Sequence, residues 1–192
     1  YFSAILRPDL PPARAPKLTL VASLAICDAL RHAGVDAGIT WPTDLLASER
    51  KIAGILTELA AEPDLVHWVV LGAGVNVNAR PEDFPAELRG EATSVLIERG
   101  QPAPRALLAA ACFTALEDWL DRHAEEGFGP IREAWRERTV TLGREVVVTA
   151  DGREVAGTAE DIDETGALLV RGPAGLERIL AGDVKLVRPR SP

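Results

Sequence analysis

The chain has 192 residues, 47% of them hydrophobic, enough to bury a core in one large domain or in a medium domain plus a small one. Its formal charge of −8 comes with no basic face or stripe, which argues against nucleic acid as a general partner. No apolar run reaches the ~18 residues needed to span a membrane, and the opening YFSAILRP lacks the basic start and long apolar core of a signal peptide, so the cytoplasm is the expected compartment.

Tyr1–Leu6 reads as a strand, closed by the Arg7–Pro16 loop with its four prolines. Leu18–Ala33 has apolar residues at helical spacing (Leu20, Val21, Leu24, Ala25, Ala29, Leu30), and Gly34 and Gly38 end it. Three strands are expected next. Ile39–Leu46 contains Pro42, which favours an edge or a bulge; Ser48–Arg50 makes a turn into Lys51–Leu59; Val66–Val77 follows the Glu62-Pro63-Asp64 turn. Connections this short imply antiparallel neighbours.

Arg80–Pro104 reads as loop with a short helix near Thr93–Glu98. Arg105–Ala124 is an amphipathic helix burying Leu107, Leu108, Ala111, Leu116, Trp119 and Leu120, and Gly129–Arg138 is a second helix. At about Thr139 the character changes to short alternating runs, separated by Asp151-Gly152, Thr165-Gly166 and Pro173–Gly175. That pattern predicts a small SH3-like β-barrel over residues 140–192 after an α+β domain over residues 1–139. Cys27 and Cys112 lie in apolar helical contexts and read as buried, reduced thiols rather than a disulfide framework. His32, His67 and His123 are far apart and lack partners at metal spacing.

Two segments carry the chemistry: Thr40–Glu58, TWPTDLLASERKIAGILTE, and Leu71–Asn78, LGAGVNVN. Gly72-Ala73-Gly74 is not a dinucleotide fingerprint, because the third glycine is absent and Val75–Asn78 continues in strand alternation. Gly54, Gly72 and Gly74 stand inside strands, where glycine costs stability and marks close approach by a ligand or another backbone. In order and spacing the two segments resemble the central motifs of biotin–protein ligases: (Lys/Arg)-Trp-Pro-Asn-Asp, Lys-(Leu/Ile)-x-Gly-Ile-Leu and Gly-x-Gly-x-Asn. Ala92-Thr93-Ser94-Val95 is similar to a further family segment.

The resemblance implies a mixed biotin/lipoate-ligase-like sheet with helices, followed by the barrel. It also implies a reaction, in which biotin and MgATP form biotinyl-5′-adenylate and the biotin then passes to a lysine of a biotin carboxyl carrier domain. Lys51 matches the lysine that reaches both the biotin carboxylate and the α-phosphate; joining two anions needs such a charge. Gly54, Gly72 and Gly74 match the biotin pocket. Trp41, Thr43 and Asn76 match the nucleotide side. Asp44 would hold Mg²⁺, directly or through water, or orient Lys51. Arg188 or Lys185, in the closing GDVKLVR, would face the phosphates; both also suit a solvated strand edge.

The chain departs from the family at Thr40, where a basic residue is usual, and at Thr43, which replaces asparagine. No Gly/Arg-rich loop of the kind that shields the adenylate occurs in these residues, so the resemblance implies the C-terminal three-quarters of a ligase. A free strand edge favours pairing of two copies in the family, so a homodimer is among the assemblies it allows. Three other readings stay open: a lipoate-type ligase, a non-catalytic relic or interaction protein of the same fold, and a biotin-responsive regulator with a DNA-binding segment upstream.

Overall fold

A computed structural model describes residues 1–150 and 152–187. The first sheet is built from β1 (Phe2–Leu6), β2 (Ala37–Thr40), β3 (Asp44–Ala47), β4 (Arg50–Ala61) and β5 (Val66–Val75), in the order β1-β5-β4-β3-β2. Every neighbouring pair is antiparallel, as the short connections require.

One face of this sheet is covered by helices. Helix α1 (Pro16–His32) is buried at every residue from Leu18 to Cys27, so it runs through the middle of the domain rather than along its surface. Helices α3 (Arg105–Glu126) and α4 (Phe128–Arg138) pack on it. The period-two alternation of β5 sends Val69, Leu71 and Ala73 into this core and leaves Trp68, Val70, Gly72 and Gly74 on the open face. Leu107 is a correction to the expected buried stripe of α3: it is 69% exposed, whereas Leu108, Cys112, Leu116 and Trp119 are buried. It sits one position off the i, i+4 row that meets α1.

The run Ile39–Leu46 is two strands, not one. The chain reverses at Trp41–Thr43, so that Thr40 faces Asp44 across the turn, and Pro42, which has no N–H to give a ladder, occupies the middle of it. The short helix α2 is Val95–Arg99, capped by the Ser94 hydroxyl, which accepts from the Ile97 N–H at 3.2 Å.

Beyond α4 lies the second sheet: β6 (Glu145–Ala150), β7 (Arg153–Ile162), β8 (Leu168–Gly172), β9 (Gly175–Ile179) and β10 (Asp183–Leu186), in the order β10-β6-β7-β8-β9. Val146, Val148, Val155, Ala159, Leu168 and Val170 form its core. Gly166 turns β7 into β8 at φ +88°, a conformation that favours glycine. Among the described residues β9 and β10 are not paired with each other, so this small sheet is open between them. Bonds on both sides fix the connection between the two sheets: the Val140 N–H, in the link to β6, donates to Ile39 O of β2 at 2.9 Å, and Arg132 and Arg136 of α4 both pair with Asp161 of β7. No helix among the described residues is long and apolar enough to cross a membrane.

Candidate active site

The open face of the first sheet becomes a site because a β-bulge changes the phase of β4. Leu45 faces Ala53 and Leu46 faces Lys51, so Ile52 is the extra residue. Strict alternation would put Lys51 on the same side as the buried Ala53 and Ile55. Instead both Ile52 and Ala53 are buried, and Lys51 emerges beside Gly54 on the open face. Bulges re-aim side chains in this way, often next to active sites.

There the Lys51 Nζ meets Asp44 Oδ2 at 2.7 Å. Asp44 arrives from β3, directly across from Gly54. Gly54 in turn faces Gly74, and Gly72 faces Leu56 two pairs further along, on the same face. The result is a row of three glycines, with the Tyr1 ring lying against Gly74 and the exposed Leu56 opposite Gly72, and a cleft of about 480 Å³ lies over it. Thr43, Asp44, Lys51, Gly54, Gly72 and Gly74 all line this cleft, as do Ser3 of β1 and Asp183 of β10.

The Thr43 hydroxyl lies 3.4 Å from Asp44 Oδ1, a long hydrogen bond that leaves it free to serve another acceptor. The lysine is not paired with Glu49, which takes Arg144 instead, at 3.2 Å. Asn76 lines a separate cleft of about 760 Å³, which shares Tyr1 and Phe2 with the first. Its neighbour Asn78 is committed to structure: its amide donates to Ala103 O and accepts from Ala103 N, each at 2.9 Å.

Trp41, matched to the nucleotide side, lines neither cleft. It is 2% exposed; its indole N–H donates to Gly166 O at 3.0 Å and its backbone N–H to the Thr141 hydroxyl at 3.0 Å. Trp41 therefore fastens the turn before Thr43 and Asp44 to the second sheet. Thr40 is 5% exposed and also lines neither cleft. Arg188 lies outside the described residues, and Lys185 is in β10 opposite Val147.

A sheet with a row of glycines, a lysine–aspartate pair beside it and a small second sheet supplying one more carboxylate is suited to holding a flat ligand and offsetting negative charge. The chain belongs to the biotin/lipoate A/B protein ligase family, whose model matches residues 1–137, and the model of the biotin protein ligase C-terminal domain matches residues 141–187. It is 35% identical over 187 residues to the bifunctional ligase/repressor BirA of Bacillus subtilis, covering 97% of this chain and 58% of that protein. It is also 35% identical over 191 residues to the biotin–[acetyl-CoA-carboxylase] ligase of Paracoccus denitrificans, covering 94% of this chain and 77% of that one. Among solved structures, the biotin protein ligase from Aquifex aeolicus in complex with biotin and ATP superposes with a TM-score of 0.83 at 25% identity, over 98% of this chain and 78% of the other. The chain thus spans less than two-thirds of the length of the Bacillus relative.

Proposed function

We propose that this chain performs ATP-dependent biotinylation of a protein lysine. In the first step a biotin carboxylate oxygen attacks the α-phosphorus of ATP, the bond to the β-phosphate breaks, and pyrophosphate leaves. In the second, the amine of an acceptor lysine on a biotin carboxyl carrier domain attacks the acyl carbon. The bond to AMP then breaks and the amine gives up its proton.

The observation that carries this reading is the emergence of Lys51 beside Gly54 on the glycine strip, paired with Asp44 at 2.7 Å. Carboxylate and phosphate repel each other, and a fixed ammonium at the point where they meet lowers the cost of bringing them together and of the charge that develops between them. Asp44 points the ammonium; Gly54 and Gly72 leave room for the biotin rings against backbone, and Gly74 extends that room once the exposed Tyr1 ring beside it moves aside. Asn76, with an amide that can donate and accept at once, faces the nucleotide in the neighbouring cleft. Thr43 supplies a hydroxyl beside Asp44 in the glycine cleft.

Among the described residues no cluster of three or more His, Cys, Asp or Glu side chains could hold a metal ion by itself. Mg²⁺ is ordinarily held by one or two carboxylates together with substrate phosphates, and Asp44 and Asp183 both line the cleft. The donors fit an ion that arrives with the nucleotide, and these two residues would hold it. Bound there, Mg²⁺ would neutralise phosphate charge.

Intact mass of a purified biotin-acceptor domain, incubated with this chain, biotin and MgATP, tests the reading. The expected result is addition of one biotin that is lost in Lys51→Ala and is not competed by lipoate. An unmodified acceptor, both with this chain and with the chain extended by a related ligase's upstream segment, would overturn it.

A further inference from the structure

Asp44 holds the tip of Lys51; the backbone of the same residue is held from elsewhere. The Lys51 N–H donates to Glu91 O at 2.7 Å, and its carbonyl accepts from the Thr93 N–H at 2.9 Å. This parallel bridge ties Lys51 to a segment that belongs to neither sheet. On the chain's other side, Lys51 follows a turn in which Ser48 and Glu49 have φ of +50° and +60°. Residues with a Cβ adopt that region at a cost, so the turn needs outside support.

One carboxylate supports both sides. Glu98, in α2, accepts hydrogen bonds from the Thr93 hydroxyl, from the Ser48 hydroxyl at 2.8 Å and from the Arg50 guanidinium at 2.9 Å. Its side chain is 13% exposed, and it lines neither cleft. Burial opposes its ionisation, but the bonds from Thr93, Ser48 and Arg50 outweigh that and hold its pKa below the ordinary value. Its three partners bracket Lys51: two come from the turn that leads into it and one from the segment that bridges it.

We propose that Glu98 is a positioning residue for Lys51, joining the Ser48–Arg50 turn to the Glu91–Thr93 segment so that the lysine leaves the bulge at a fixed height above Gly54. The catalytic part of this proposal rests on the reading of Lys51 as the group that offsets charge in adenylate formation. The brace itself is a statement about backbone order and is measurable without any turnover.

The test compares the full chain with Glu98→Ala and Glu98→Gln by residue-resolved amide hydrogen exchange and by pyrophosphate release with biotin and MgATP. In Glu98→Ala the Lys51 and Thr93 amides should exchange about ten-fold faster or more, while amides of the covered strands, such as that of Leu71, keep their rates. Its kcat should fall about ten-fold, with KM for biotin and ATP within about three-fold of the parent, because a misplaced charge is felt mainly in the transition state. Glu98→Gln, which keeps the shape and one acceptor, should lie between the two; it also serves if the alanine variant does not fold. Unchanged protection at Lys51 and Thr93, a uniform acceleration of all amides, or faster exchange with unchanged kcat would each overturn the proposal. A parent chain that releases no pyrophosphate would count against the ligase reading alone, and exchange at the two amides would still decide the brace.

Discussion

Replacing Gly54 by alanine separates stability from activity, because of what its new methyl group would touch. A Cβ at that position would lie 3.1 Å from Lys51 Cε, 3.3 Å from Lys51 Nζ and 3.4 Å from Asp44 Oδ1. Carbon atoms rest comfortably at about 3.5–4.0 Å, so the ammonium has to retreat by roughly 0.5 Å. The atoms in the way are the ends of two flexible side chains, 51% and 35% exposed, rather than backbone. An ion pair that exposed contributes at most about 1 kcal/mol to folding. Alanine also restricts the unfolded chain, which offsets about 0.4–1 kcal/mol of any loss. The unfolding free energy of Gly54→Ala should therefore stay within about 1 kcal/mol of the parent. Adenylate formation should fall about 10-fold, since a displacement of about 1 Å at a reacting group costs about 100-fold and the retreat is roughly half of that. Urea unfolding and pyrophosphate release at saturating biotin and MgATP, measured on the same preparations, check both parts. Parental kcat in Gly54→Ala would refute the placement of Lys51 as the source of rate; a stability loss well above 1 kcal/mol would refute the local geometry.

Gly72→Ala should behave differently: its Cβ would meet Leu56 O at 3.5 Å and Leu56 Cβ at 3.9 Å, ordinary contacts, so folding is spared. The methyl group would stand in the cleft, and titration calorimetry should show weaker biotin binding; unchanged affinity would move the ligand off the glycine strip. Thr141→Val leaves the buried Trp41 N–H without its acceptor and should cost about 1–3 kcal/mol in urea unfolding, with no loss expected if the turn were held by other contacts. Burial opposes ionisation of Asp163, but bonds from Thr165, Arg178 and Ala167 outweigh it and bring its pKa from 3.8 to about 2. A carboxyl depressed on folding stabilises above its unfolded pKa, and that stability drains as pH falls from about 4 to about 2. Asp163→Asn should hence lower the unfolding temperature at neutral pH and progressively less toward pH 2, and parallel curves would refute this. Burial pushes the thiols of Cys27 and Cys112 up to about 11, so neither should react with Ellman's reagent at pH 8 until the chain is denatured.

The helices and the second sheet were legible because their signals are local. The periodic run of α1 and the turn glycines Gly152, Gly166 and Gly175, all at positive φ, reflect constraints acting over a few residues. The motif residues were legible as a set, and Thr43, Asp44, Lys51, Gly54, Gly72 and Gly74 do share one cleft. The bulge was not. Nothing in KIAGIL marks Ile52 as the extra residue; it is fixed by the register between Leu45 and Ala53 on one side and Leu46 and Lys51 on the other. The anchoring of Trp41 was not legible either, because its indole N–H is taken by Gly166, which lies 125 residues away. Asp183 and Glu98 carried no local signal, since each acquires its neighbours only when distant segments meet.

The charges lining the cleft explain why so much of the fold is spent on holding one lysine. Lys51 faces Asp44 and Asp183 there, so among these three groups the balance is one positive against two negative, or −1. On a chain of net charge −8, neither the cleft nor the whole molecule attracts a carboxylate and a triphosphate by its overall field. Favourable electrostatics must then come from position rather than quantity. A point charge acts on a developing anion with an energy that falls as the inverse of distance, and most effectively where water is excluded. The ammonium is held at one place by Asp44 at its tip, by the bulge at its Cα, and by the Glu91 and Thr93 bonds along its backbone. Adding a cation elsewhere in the cleft, for example by Ser3→Lys, should accordingly fail to replace Lys51 in a Lys51→Ala background. Such a charge would tighten nucleotide binding while leaving kcat at the level of the single variant.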